Sequence, residues 1–228
     1  MITIDPIKLG KTSLVLVVFI SLSSFIYFTR YNYIPVQITL GKCDIDYIVS
    51  SEQEIRLSPL VSEYFQIKGW EMLMCYGQPS LRGRRMIGEQ IPYNKPWRFG
   101  ANEPTRFYTT ANVSMGGIAL PKGRYSIYVV PNKYEWEIFI NTSTTHWGND
   151  FSTDVLSKNV GSFKVRPKYL INSVEEFVIR TDNSELEDND KVVFMEWENT
   201  QIEFSIVNLE KKDKTEQSLK AATKDYRE

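Results

Sequence analysis

The chain has 228 residues, room for one good-sized domain with extensions, and its formal net charge of −1 excludes a global field for nucleic acid or an acidic surface. Its 13 Tyr, 12 Phe and 5 Trp suit strands and cores, and equally suit carbohydrate- or peptide-binding surfaces. One histidine excludes a multi-histidine metal site within one chain, and no nucleophile elbow, P-loop or dinucleotide fingerprint is present. The expectation is no cofactor, no metal and no nucleic-acid partner.

Residues 12–29, TSLVLVVFISLSSFIYFT, run for 18 residues without charge, proline or glycine. At about 1.5 Å per residue, a helix of this length crosses most of a ~30 Å hydrocarbon core. The run is apolar or small on every face, which argues against a buried core helix. A cleaved signal peptide is the rival. The run exceeds the usual h-region and no small-x-small site follows, so the reading is an uncleaved transmembrane anchor, with the membrane as partner through 12–29. Lys8, Lys11 and the amino terminus outweigh Arg30. Residues 1–11 are then cytoplasmic and the rest of a single-pass membrane protein lies on the extracytoplasmic side, with Tyr27, Tyr31 and Tyr33 at the outer interface. Residues 30–60 read as a stalk. Within it 36–40 alternates like a short strand or linker, and 50–55 starts a short helix with Ser51 and Glu54 at capping-box spacing.

From residue 61 to 207 the pattern is mostly strands. Residues 70–76 (WEMLMCY) form an apolar run of strand length, and 106–110 carries Phe107 and Tyr108. Residues 112–115 meet Gly116-Gly117, a two-residue hairpin signal leading to 118–120. Tyr125, Ile127 and Val129 share one face of a strand over 125–130, and Trp136, Ile138 and Ile140 one face of a strand over 135–141. Further strands are expected at 161–165, 175–180, 192–197 and 200–207. Turn-rich segments at fairly regular spacing argue for an all-β fold, an antiparallel β-sandwich or barrel-like domain, rather than βαβ units. Residues 208–228 are a charged tail, rich in Lys and Glu.

Residues 79–105, PSLRGRRMIGEQIPYNKPWRFGANEPT, fit neither period, and three glycines and four prolines punctuate them. They read as a long, specifically folded loop running into a strand, a construction that needs a job or firm attachment to the body. Two readings of its side chains stand open. In the first, Arg82, Arg84, Arg98, Asn102 and Glu103 line a pocket for an anionic or polyhydroxylated ligand, with Tyr93 or Trp97 stacking on a sugar face. In the second they are an internal brace: Arg98 pairs with Glu103, the other arginines satisfy loop carbonyls, and Trp97 fills the core. His146, beside Trp147, is either a general base oriented by Glu103 or Asp150, or a loop histidine next to a buried tryptophan. Glu135, Glu137, Glu196 and Glu198 lie on expected strands, where a same-face pair would suit glycoside hydrolysis or simply face solvent. Cys43 and Cys75 both fall outside the membrane. They can bridge stalk and first strand, or Cys75 can be a small core residue.

The loop also resembles the signature of a bacterial family known as domain of unknown function 2911, R-P-S-x-K-G-R followed by P-Y-G-x-x-W-R-x-G-A-N-E-x-T. Here it stands as Gln78-Pro79-Ser80-Leu81-Arg82-Gly83-Arg84, then 92–105 from Pro92-Tyr93-Asn94 through Trp97-Arg98 to Ala101-Asn102-Glu103-Pro104-Thr105. Similarity continues through 120–126, 136–141, Trp147-Gly148 and Trp197-Glu198, and covers about residues 61–207. Gln78 stands where the family has arginine, and Asn94 where it has glycine. The resemblance implies a β-rich fold and an envelope location, and no activity. The reading adopted is a membrane-anchored extracytoplasmic β-sandwich, a binding or structural module of the cell envelope whose partner is a glycan, a peptide or an envelope protein. The alternative is a hydrolase-like enzyme acting on envelope glycans or peptides through Glu103, Arg98 and His146.

Overall fold

The computed structural model describes residues 43, 57–182 and 189–210, all within the unit Leu40–Glu228. The Gly116-Gly117 pair reverses the chain as its sequence dictates. β4 (Val113–Met115) and β5 (Ile118–Leu120) pair antiparallel with Met115 opposite Ile118. Gly116 is obligatory twice over, because its φ is 56° and a Cβ there would lie 2.3 Å from the Phe163 ring.

The other strands are β1 (Leu60–Ile67), β2 (Trp70–Gly77), β3 (Ala101–Thr109), β6 (Gly123–Val130), β7 (Trp136–Asn141), β8 (Asn159–Val165), β9 (Lys168–Thr181) and β10 (Asp190–Asn208), with a single turn of helix, α1 (Thr153–Leu156), before β8. They form a six-stranded sheet in the order β1-β2-β3-β6-β7-β8 and a four-stranded sheet in the order β5-β4-β10-β9. Every named pair is antiparallel. The two sheets share one core. Phe65, Met72, Met74, Phe107, Ile127 and Ile138 of the larger meet Met115, Phe177, Ile179, Met195, Trp197 and Ile206 of the smaller. The fold is therefore all-β and antiparallel as expected, and of the two architectures left open, sandwich or barrel-like, the two separate sheets fit the sandwich.

Two strands depart from their expected limits for the same reason, an interruption of the period-two pattern. Residues 192–197 and 200–207 are expected as separate strands, yet they are one, β10. Along it Val193, Met195 and Trp197 are buried at odd positions, then Ile202, Phe204 and Ile206 at even ones. The phase flips at Glu198, where φ is 51° and the register against β9 shifts on both sides. A bulge moves an entire hydrophobic set to the other parity without ending the strand. β3 likewise starts at Ala101 rather than Arg106. Cys75 lies opposite Arg106 and Gly77 opposite Ala101, so five residue steps on β3 face two on β2. Residues 102–105 fall out of register with β2 there, although Thr105 stays paired with Ile127 of β6, and Gly77 lets Ala101 approach: a Cβ at Gly77 would sit 2.1 Å from the Ala101 carbonyl oxygen. β9 is also longer than the expected 175–180.

Cys43 and Cys75 form a disulfide with their Cα atoms 5.6 Å apart, and no described cysteine is free. Among the described residues no helix is long and apolar enough to cross a membrane. The anchor expected at 12–29 lies outside the described residues, as do 36–40, 50–55 and 211–228.

Candidate functional site

Trp97 organises the irregular loop. Its backbone exchanges hydrogen bonds with Val129 of β6 (2.7 and 2.8 Å), which adds one rung to the larger sheet. Its indole points inward, 4% exposed. It stacks on Trp197 at 5.8 Å and meets Phe177, Phe99 and Trp136 edge-on at 5.6, 5.9 and 6.4 Å. Each such ring pair adds about 0.5–1.5 kcal/mol beyond the area it buries. The indole Nε1–H donates to the Gly100 carbonyl at 3.0 Å, so the one polar atom of the ring is satisfied inside the core. Trp97 is therefore not placed to stack on a ligand at the surface.

The same contacts fix a strained turn. Phe99 and Asn102 have φ of 59° and 62°, costly for residues with side chains. The Thr105 hydroxyl donates to the Phe99 carbonyl, and the Thr105 N–H to the Arg98 carbonyl at 3.1 Å. Asn102 Nδ2 donates to the Ser58 carbonyl at 3.2 Å. The turn delivers Arg98 and Glu103 to one neighbourhood. Glu103 is 2% exposed, and its carboxylate acts electrostatically on the Arg98 guanidinium. Burial lowers the Arg98 pKa, and Glu103 offsets part of that. Arg98 Nε is buried and has no hydrogen-bond partner among the described residues.

A second segment, 142–158, reaches this neighbourhood because Asn149 Oδ1 accepts the Arg98 backbone N–H at 3.1 Å. It folds back over the larger sheet on the side away from the core. Ser126 Oγ donates to the Ser143 carbonyl (2.7 Å), Asn141 Nδ2 to the Val155 carbonyl (2.7 Å), and Phe151 packs 5.2 Å from Tyr128. On it His146 Nδ1 lies 3.2 Å from Ser143 Oγ, half-buried, and Trp147 is 52% exposed. Burial lowers the His146 pKa from its usual 6.5. Asp150 and a hydrogen bond with Ser143 oppose the shift, and Lys158 adds to it. The imidazole is within reach of a hydroxyl.

The remaining candidates divide. Arg82 Nη2 donates to the Leu57 carbonyl (2.9 Å), and Arg84 donates to the carbonyls of Leu81 (3.0 Å) and Ser80 (3.1 Å). Both arginines serve the loop's own backbone. Tyr93 is 38% exposed and packs over Gly88, where a Cβ would meet its ring at 2.7 Å. Of the carboxylates expected on strands, Glu135 lies just before β7 and pairs with Lys164 (2.7 Å), Glu137 accepts from Ser162 (2.6 Å) and Glu196 pairs with Arg180 (2.7 Å). Glu198 accepts the Met86 and Ile87 N–H groups at 2.9 and 2.7 Å, pinning the loop to the β10 bulge. Glu103 thus acts on Arg98, and Asn149 ties the turn that carries them to the segment that carries His146 and Trp147, while Arg82 and Arg84 serve the loop backbone and Asn102 the Ser58 carbonyl. Reading the sequence missed Asn149 and Ser143. Their signal was only their place beside His146 in a turn-rich stretch.

Residues 58–206 match the model of a family described as Protein of unknown function (DUF2911). Comparison with curated proteins and with solved structures found no match.

Two outcomes follow from this geometry. Trp97→Ala should destabilise the fold by about 3–5 kcal/mol, the usual cost of emptying a large aromatic site, whereas Trp147→Ala should stay within ~0.5 kcal/mol. Thermal unfolding of the two variants compares them directly. His146 is the only histidine, so its proton resonances titrate alone, and the midpoint should lie below 6.5. Between that midpoint and 6.5 the unfolded chain binds more protons than the folded one. Stability therefore rises with pH across that window, falls on acidification through it, and is indifferent to this group above it. A midpoint at or above 6.5 would contradict the burial of the ring.

Proposed function

The chain belongs to the family described as Protein of unknown function (DUF2911), and from that premise we propose that it is a membrane-anchored, extracytoplasmic β-sandwich that works by binding. Residues 12–29 tether it, and its partner is an anionic or hydroxyl-rich component of the cell envelope, a glycan or peptide. The observation that carries the location is the Cys43–Cys75 bridge. It consumes both cysteines of the chain, and such bridges persist in oxidising compartments and are rare where thiols are kept reduced. The apolar, charge-free run at 12–29 with Lys8 and Lys11 before it agrees in direction. Binding rather than turnover is favoured by the state of the carboxylates. Glu135, Glu137, Glu196 and Glu198 are each committed to a structural partner, while the desolvated Arg98 is tied through Asn149 to the segment that carries the exposed Trp147.

In intact cells, alkylation of the full chain before reduction should leave Cys43 and Cys75 unmodified. A carboxy-terminal alkaline phosphatase fusion should be active only while residues 12–29 are present. Free thiols together with an inactive fusion would place the domain in the cytoplasm and end this reading. For the ligand, the full chain in detergent is titrated with cell-wall fragments and acidic oligosaccharides. Arg98→Ala and Trp147→Ala should each weaken the bound fragment about tenfold, equivalent to ~1.4 kcal/mol. If no fragment binds and Arg98→Ala unfolds the domain, Arg98 is a brace and the module is structural.

A further inference from the structure

Strand register gathers one set of connections at one end of the sandwich. Leu60 lies opposite Gly77, Gly77 opposite Ala101, Val130 opposite Glu137 and Trp136 opposite Val165. The start of β1, the loop 78–100, the turn 131–135 and the link Arg166-Pro167 therefore share that end. Phe177 N–H donates to the Pro79 carbonyl and Leu81 N–H to the Glu175 carbonyl, both at 2.9 Å, so β9, followed back from 177 to 168, runs the way the loop leaves β2. Asn94 N–H donates to the Pro131 carbonyl at 2.8 Å, and Asn132 Nδ2 to Asn94 Oδ1 at 2.7 Å, which sets Tyr93 and Lys95 beside the turn. Ile171 (91%), Tyr169 (79%) and Tyr134 (74%) on this end are the three most exposed large apolar side chains among the described residues. The net charge of the chain is −1, yet the loop 79–100 carries Arg82, Arg84, Arg85, Lys95 and Arg98 against Glu89 alone. Glu89 pairs with Arg85 (3.1 Å), Glu135 with Lys164 (2.7 Å) and Glu203 with Lys168 (2.6 Å), while Glu175 and Glu198 accept loop N–H groups. Lys95, Lys133 and Arg166 are exposed and have no carboxylate partner among the described residues; against them stands Glu176, opposite Ser80.

We propose that this end of the sandwich docks on an anionic lipid surface, with Lys95, Lys133 and Arg166 against lipid phosphates and Tyr134, Tyr169 and Ile171 at headgroup level. The occupant follows from the two chemistries present together. A soluble anion would meet the cations and leave the apolar side chains in water, and an apolar protein face would cover those side chains and strand the cations. A bilayer of anionic lipid takes both, because aromatic rings settle at the headgroups and each basic residue near the surface strengthens attachment about fivefold. Ring and charge are adjacent: the Lys133 ammonium lies 5.6 Å over the Tyr134 ring. The turn is also fixed in advance, since Tyr134 N–H donates to Asn132 Oδ1 at 3.1 Å, so little order is lost on contact. Proximity to a bilayer comes from the membrane tether inferred above, and in that one respect the docking rests on it. Cys43 is bonded to Cys75, two residues before Gly77, and Leu57 lies three residues before Leu60, so the chain ahead of the domain reaches it at this end.

Hydroxyl-radical footprinting of the full chain in nanodiscs tests this, with discs of phosphatidylcholine alone and of phosphatidylcholine mixed with phosphatidylglycerol. Tyr134, Tyr169 and Ile171 should label severalfold less in the anionic discs than in the neutral ones, while the exposed Tyr64 of β1 labels alike in both. Added salt should restore the labelling, because it screens charges at a surface. The combined variant Lys95→Gln, Lys133→Gln, Arg166→Gln should lose the protection at low salt, with the buried Phe107 and Met115 still shielded as the sign that it folds. If that variant labels everywhere it has unfolded, and the salt series on the unaltered chain decides. Recovery of the chain apart from the discs would count against the tether and leave the docking open to its own test. The free chain is then sedimented with vesicles of the same two compositions, and should go down with the anionic one only. Equal labelling of the three residues in neutral and anionic discs overturns the docking, whether the end is bare in both or covered in both by a second copy. Sedimentation of the free chain with neither vesicle does the same.

Discussion

The Trp97 indole, pressed flat against Trp197 and donating its only proton to Gly100, is the contact on which the rest of the domain depends. It joins three things that are otherwise separate. Its backbone extends the larger sheet through Val129, its ring sits on the smaller sheet, and its hydrogen bond closes the turn that carries Arg98 and Glu103. Strain at Phe99 and Asn102 persists because the turn has no room to relax. The Thr105 hydroxyl holds it from one side and Gly77 lets β3 approach from the other. Buried aromatic area is the force that supplies the compensation, since the hydrophobic term is large and non-directional while the turn's cost is local.

A second consequence concerns how an irregular loop is kept irregular. Much of it is tied by carboxylates and arginines that act on backbone atoms. Glu198 takes the Met86 and Ile87 N–H groups, Glu175 takes the Arg82 N–H at 2.8 Å, and Arg82 and Arg84 cover carbonyls of Leu57, Ser80 and Leu81. A segment with no ladder of its own must find partners for each buried polar group, and charged side chains make the stronger bonds. The charged residues that make this loop look like a site are, for the most part, what makes it a structure. Arg98 is the exception, because it is desolvated and its Nε is not used by the loop.

Legibility in the sequence followed how local each determinant is. The Gly116-Gly117 hairpin and the alternating faces of β6 and β7 depend on neighbours one or two residues away, and were readable. β10 was not, because Trp197-Glu198-Asn199-Thr200 looks like a turn and is a bulge, and only the pairing with β9 distinguishes them. The bulge of β3 is set by Gly77, 24 residues before Ala101, and no periodicity reports such a contact. The candidate site was half legible for the same reason. Arg98, Glu103 and His146 were visible as residue types, but which way Trp97 points is decided by Trp197, Phe177 and Trp136 from three other strands. The disulfide was an open alternative because strand register, not spacing, brings Cys75 to the outer face where Cys43 reaches it.

These two faces of the larger sheet give the domain an asymmetry with functional weight. The core face is mostly apolar, with Thr105, Thr109 and Glu63 among its few polar members, and resembles in kind that of any sandwich. The outer face holds buried Arg106, Ser126 and Asn141, an arrangement that contributes little to stability compared with an apolar surface of the same area and costs more if any partner is lost. A fold does not need a polar row under cover on that side. Its presence, beside the disulfide and at the border of the segment that carries His146 and Trp147, concentrates the unusual chemistry of the chain on one side of one sheet.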